Sequence, residues 1–77
     1  MEDLLESITL EKARLLNGMT MEQVANDLNI HPQTYAKIEK EPDKASIRQA
    51  KMLSELFGIS VNILFLDINS KKLRVKN

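Results

Sequence analysis

Apolar residues recur along this chain in five short stretches, each at the three- and four-residue spacing of a helix face. The first covers about residues 9–17, with Leu10, Ala13 and either Leu16 or Leu15 turned inward. It stops at Asn17-Gly18, where glycine accepts the left-handed backbone that closes many helices. Upstream, Leu4, Leu5 and Ile8 either extend this helix or form a docked arm, because Asp3-x-x-Glu6 and Ser7 both offer caps. The second stretch opens on Thr20-Met21-Glu22-Gln23, a capping box, and continues through Val24, Ala25 and Leu28 to Asn29. After glycine, asparagine is among the residues that best tolerate the left-handed region.

Ile30 and His31 then precede Pro32, which loses no useful hydrogen bond at a first helical position. A third helix is predicted from there through Tyr35 and Ile38 to about residue 40. Helices joined by only about three residues cross steeply, which is the helix-turn-helix arrangement. Glu41-Pro42-Asp43-Lys44 reads as a loop. Ser46-x-x-Gln49 is a second capping box, opening a helix with Ile47, Ala50, Leu53, Leu56 and Phe57 on its buried side and Gly58 at its end. Ser60 caps a last short helix that carries Val61, Leu64 and Phe65. Beyond residue 66 the helical period is lost, and Lys72-Leu73-Arg74-Val75-Lys76 alternates in the manner of a strand. The expected fold is a compact all-α bundle of five helices followed by an irregular or strand-like tail.

Composition agrees with that picture and narrows it. The chain has 77 residues, 43% of them hydrophobic, with few aromatics and no cysteine, so helix packing without disulfide or thiolate staples is expected. No apolar run approaches the roughly 20 residues that span a bilayer. Glu2, Asp3 and Glu6 stand where a secretory signal would be basic. The chain therefore reads as soluble and cytoplasmic, with no membrane partner. Formal net charge is zero, which counts mildly against nucleic-acid binding. The charges are nevertheless sided: residues 1–11 carry acids and no base, and residues 71–77 carry Lys71, Lys72, Arg74 and Lys76 and no acid. A dipolar chain of this kind can still turn a basic face to DNA.

Residues 21–40 resemble the helix-turn-helix core of the Cro/repressor (XRE-like) regulators of phages and bacteria. Val24-Ala25, Leu28-Asn29-Ile30, Tyr35 and Ile38 fill that family's apolar and turn positions without a gap. Ala13-Arg14, Gly18-Met19-Thr20 and Leu53-x-x-Leu56-Phe57-Gly58-Ile59-Ser60 extend the likeness over residues 8–66. The resemblance implies a lambda-repressor-like domain in residues 1–66 and a basic tail in 67–77. It places His31, Pro32, Gln33, Ala36 and Lys37 toward base edges, where Gln can read adenine and Lys can donate to guanine. Thr20, Thr34, Lys40 and Lys44 fall to phosphates. His31 serves equally as a cap or a solvated side chain, and Tyr35 as a core residue. Arg14 and Glu39 match a family pair whose partly buried salt bridge ties the first helix to the recognition helix, a structural role.

Three positions depart from the family. Met21 replaces a frequent Gln at a DNA-backbone position, Pro32 replaces a common polar reader, and Glu41 stands where Gly is frequent. The resemblance implies double-stranded operator DNA as the partner and a homodimer as the acting form, since one short helix reads few base pairs. A basic tail strand that pairs with a second chain would serve such a dimer. The departures and the zero net charge motivate a second class of function, a protein-interaction module of the antirepressor or antitoxin-like kind. No nucleophile–base set, metal-ligand spacing or phosphate-cradling glycine loop is visible, so neither an enzyme nor a cofactor nor a metal is expected.

Overall fold

The computed structural model describes residues 8–65. Five helices follow in order: α1 (Leu10–Leu16), α2 (Met21–Leu28), α3 (Pro32–Lys40), α4 (Ile47–Phe57) and α5 (Val61–Leu64). A 3-10 turn, Pro42–Lys44, lies within the segment expected to be a plain loop. Proline at its start and the Ala45 N–H donating to the Pro42 carbonyl (3.0 Å) account for that tightening. Among the described residues no helix is long and apolar enough to cross a membrane.

The helix starts are local chemistry. Thr9, Thr20, Ser46 and Ser60 each accept a backbone N–H from the third residue of the helix they open. At Thr20 and Ser46 the side chains of Gln23 and Gln49 return the bond to the cap N–H at 2.9 Å, completing both boxes. Ile8 is half-buried against the core ahead of α1 and outside it, as a docked residue. The caps considered at residues 3–7 and the strand considered in the tail lie outside the described residues.

One three-residue connector occurs three times: Gly18-Met19-Thr20, Asn29-Ile30-His31 and Gly58-Ile59-Ser60. Its first residue is left-handed in each case (φ +66°, +61° and +70°). Its second donates back to the preceding helix, Met19 to Arg14, Ile30 to Ala25 and Ile59 to Ser54, at 2.9–3.2 Å. The same apolar residue packs on the core cluster, which includes the fourth residue of the next helix (Val24, Tyr35 or Leu64). That is the hydrophobic-staple position. The third residue caps the next helix. Each connector thus ends one helix, fixes the entry angle and starts another.

Leu10, Ala13, Val24, Ala25, Leu28, Tyr35, Ile38, Leu53, Phe57, Leu64 and Phe65 form one buried cluster. Two expectations about its edge fail. Leu15 and Leu16 are 60% and 71% exposed, so neither completes the inner stripe of α1; Arg14, at 8%, takes that place. Ile47 is 81% exposed, because it sits at the first position of α4, about 120° around the helix from Leu53. Leu53 and Phe57 carry that face, with Ala50 and Leu56 half-buried beside them.

Candidate nucleic-acid interface

Among the described residues, α2 and α3 form the most extensive helix pairing. Ala25 is fully buried, and its lack of bulk lets the two helices approach. Tyr35 and Ile38 turn α3 inward. On a 100° step the opposite stripe of α3 carries Gln33, Lys37 and Lys40, all exposed, with Ala36 half-buried at its margin. Pro32 and Thr34 are exposed on either side of Gln33.

His31 is the cap of α3. Its Nδ1 accepts the Gln33 N–H at 3.1 Å, which assigns the ring proton to Nε2 and leaves that nitrogen as an outward donor. The imidazole is thereby committed on one side to holding the helix start and free on the other.

Two grooves flank the Lys37–Lys40 ridge. One, of about 550 Å³, runs between α3, the 3-10 turn and the start of α4; Thr34, Lys37, Lys40, Lys44, Glu41 and Gln49 face it. The other, of about 340 Å³, is bounded by Glu11, Met21, Ala36 and Glu39 together with the same two lysines. The structure therefore gathers Thr34, Lys37, Lys40 and Lys44 into one place. It keeps Thr20 apart, at the start of α2, with its hydroxyl engaged by Gln23 N–H at 3.1 Å. Met21 is half-buried against the core, which gives this apolar residue a packing role.

Behind the ridge lies the Arg14–Glu39 pair. Arg14 Nε donates to Glu39 Oε2 at 2.6 Å and its Nη1 donates to the Met19 carbonyl at 3.0 Å. Both side chains are nearly enclosed, at 9% and 6% exposure. The hydrogen bond that the guanidinium donates to Glu39 holds it above its ordinary range, against the opposing effect of burial. One cation so joins α1, the first connector and α3. Removing either partner leaves a stranded charge, at a general cost of about 3–5 kcal/mol.

Gln49 and Arg48 were not anticipated as surface features. Gln49 faces the larger groove, and both border a third depression of about 290 Å³ beside Asn29 and Ile30. The available signal was Arg48 itself, a cation in the first turn of α4 where the helix dipole does not favour it.

A tightly turned helix pair, set on a helical core with the outer stripe of its second helix polar and basic, defines a DNA-binding regulator. The family model for the helix-turn-helix matches residues 10–64, and the chain belongs to that family, the Cro/repressor-type (XRE-like) regulators. No curated protein and no solved structure matches it.

Proposed function

We propose that the chain is a sequence-specific transcriptional regulator of phage or prophage type, a repressor or Cro-like protein acting as a homodimer on near-palindromic operator DNA. In this reading residues 1–66 are the DNA-binding domain and 67–77 a basic tail, and the protein works in the cytoplasm by occluding a promoter. The observation that carries it is the exposed Gln33–Lys37–Lys40 stripe of α3 beside a groove where Thr34 and Lys44 join the same lysines. Gln33 and Lys37 read base edges, with Pro32, Ala36 and the free Nε2 of His31 close by. Thr34, Lys40 and Lys44 neutralise or hydrogen-bond phosphates, and the start of α2 at Thr20 approaches the other strand's backbone.

Selection from a random duplex library at about 50 mM salt tests the reading. A near-palindromic consensus is expected, with half-sites about one helical turn apart. Gln33→Ala and Lys37→Ala should each weaken binding to it by about 1–3 kcal/mol and relax preference at one base position. Equal affinity of both variants for the selected duplex sinks the assignment of the reading residues. Glu11 and Glu41 at the groove margins favour a second reading, a protein-interaction module of the antirepressor or antitoxin-like kind. A stoichiometric protein complex with no duplex shift at low salt would replace the first reading by the second.

A further inference from the structure

We propose that Glu41 is an internal competitor for DNA phosphate: it holds Lys44 in an ion pair within the α3 groove and so limits the affinity and salt dependence of binding. The proposal rests on the DNA-binding reading above. Glu41 Oε1 lies 3.8 Å from Lys44 Nζ, and both side chains are largely exposed, at 61% and 65%. They face the groove shared with Thr34, Lys37 and Lys40. A phosphate entering there meets three ammonium groups and one carboxylate, and that carboxylate already has one of the ammoniums.

Nothing in the fold requires the acid. The Glu41 backbone closes α3, its N–H donating to the Lys37 carbonyl at 2.8 Å, but its side chain makes no capping bond. It also stands at the negative end of the α3 dipole, where a carboxylate is disfavoured. An exposed pair of this kind is worth a factor of up to about five in an equilibrium. That is the same scale as one phosphate contact at moderate salt, so the competition is close. If Lys44 stays with Glu41, one fewer DNA counterion is released on binding.

Binding of a mixed-sequence duplex by the full chain, measured from about 50 to 200 mM salt, tests this. Glu41→Gln keeps shape and removes charge; it should tighten binding about two- to five-fold at the low end and steepen the log–log slope by about 0.9. Asp43→Asn adds the same charge at an exposed position that does not face the groove, and should give less than about twofold. Lys44→Gln should weaken binding in the native background, where it also leaves the Glu41 carboxylate unpaired in the groove, and should cost more in the Glu41→Gln background, undoing most of that gain. Unchanged affinity and slope in Glu41→Gln, an equal gain in Asp43→Asn, or a Lys44→Gln loss of the same size in both backgrounds each overturns the proposal. A folded native chain that ignores every duplex at low salt overturns the DNA-binding reading and this proposal with it.

Discussion

Tyr35 carries a cost that its neighbours do not relieve. Its side chain is fully enclosed, and its hydroxyl, buried beside the Arg14–Glu39 pair, has no hydrogen-bond partner among the described residues. Burial, and after it the nearby Glu39 carboxylate, push the phenol well above its ordinary range. In the unfolded chain a tyrosine titrates near pH 10 (roughly). Above that pH the unfolded state sheds a proton that the folded state keeps, so stability is fully present below it and falls as pH rises, by up to about 1.4 kcal/mol per unit. Tyr35→Phe removes both the titration and the orphaned hydroxyl. The variant should be at least as stable as the native chain near neutrality and increasingly more stable above about pH 10. Denaturant unfolding of the two proteins from about pH 8 to 11 checks this, and parallel curves would show a phenol that titrates alike in both states. At this scale the sequence was readable where a role is local. Tyr35 as a core residue followed from its neighbours, and a cap was one of the roles they left open for His31, whereas the environment of the Tyr35 hydroxyl depends on how distant α1 and α3 meet.

The helices were legible because their ends are written in adjacent residues: caps, boxes and left-handed stops lie within three or four positions of what they bond. Errors arose in the phase of the buried stripes. In α1 the inward positions are Leu10, Ala13 and Arg14. An apolar pattern cannot reveal Arg14 as inward, because its neutralising partner is Glu39, distant in sequence. Hydrophobicity therefore nominated Leu15 and Leu16, which the helix turns outward. The connector before α3 supplies the element-scale prediction. Asn29 holds φ +61° there, a conformation that costs most side chains about 1–2 kcal/mol. Asn29→Ala should destabilise the protein by that amount, and Asn29→Gly should be close to neutral. Thermal unfolding of the two variants checks it; an Ala variant as stable as the native chain would mean that this connector bends elsewhere.

Across the whole molecule, the candidate interface was only partly visible from sequence. Its α3 residues were readable from helical spacing, since Gln33, Lys37 and Lys40 repeat on one stripe. The groove was not, because it exists only where the 3-10 turn and the start of α4 fold back beside α3 and bring Lys44, Glu41 and Gln49 to the same lysines. The zero net charge likewise understated the surface, since Lys37, Lys40 and Lys44 are concentrated there while the sum runs over the whole chain.

The end of α1 holds one more consequence, and it concerns ageing. Asn17 Nδ2 donates to the Ala13 carbonyl at 2.8 Å and to the Phe57 carbonyl at 3.3 Å, tying α1 to the end of α4. The next residue is Gly18, and an Asn-Gly pair is the chemically weakest link for side-chain amide loss, in which the glycine nitrogen attacks the asparagine side-chain carbonyl carbon and expels ammonia. Water then opens the cyclic imide to an acid. Here that attack is blocked. Asn17 is held at ψ 4°, its amide is engaged twice, and the Gly18 N–H donates to the Leu15 carbonyl at 3.0 Å. Ring closure needs all of these released together. Conversion of Asn17 to an acid, followed by mass spectrometry, should then be slow in the native protein and fast in denaturant, and in between it should track the fraction unfolded. Equal rates in both conditions would show that the stitch does not hold. Once converted, the new carboxylate faces two carbonyl oxygens, so each molecule that opens long enough to react returns with its α1–α4 tie broken. The protein keeps a chemical record of its own unfolding.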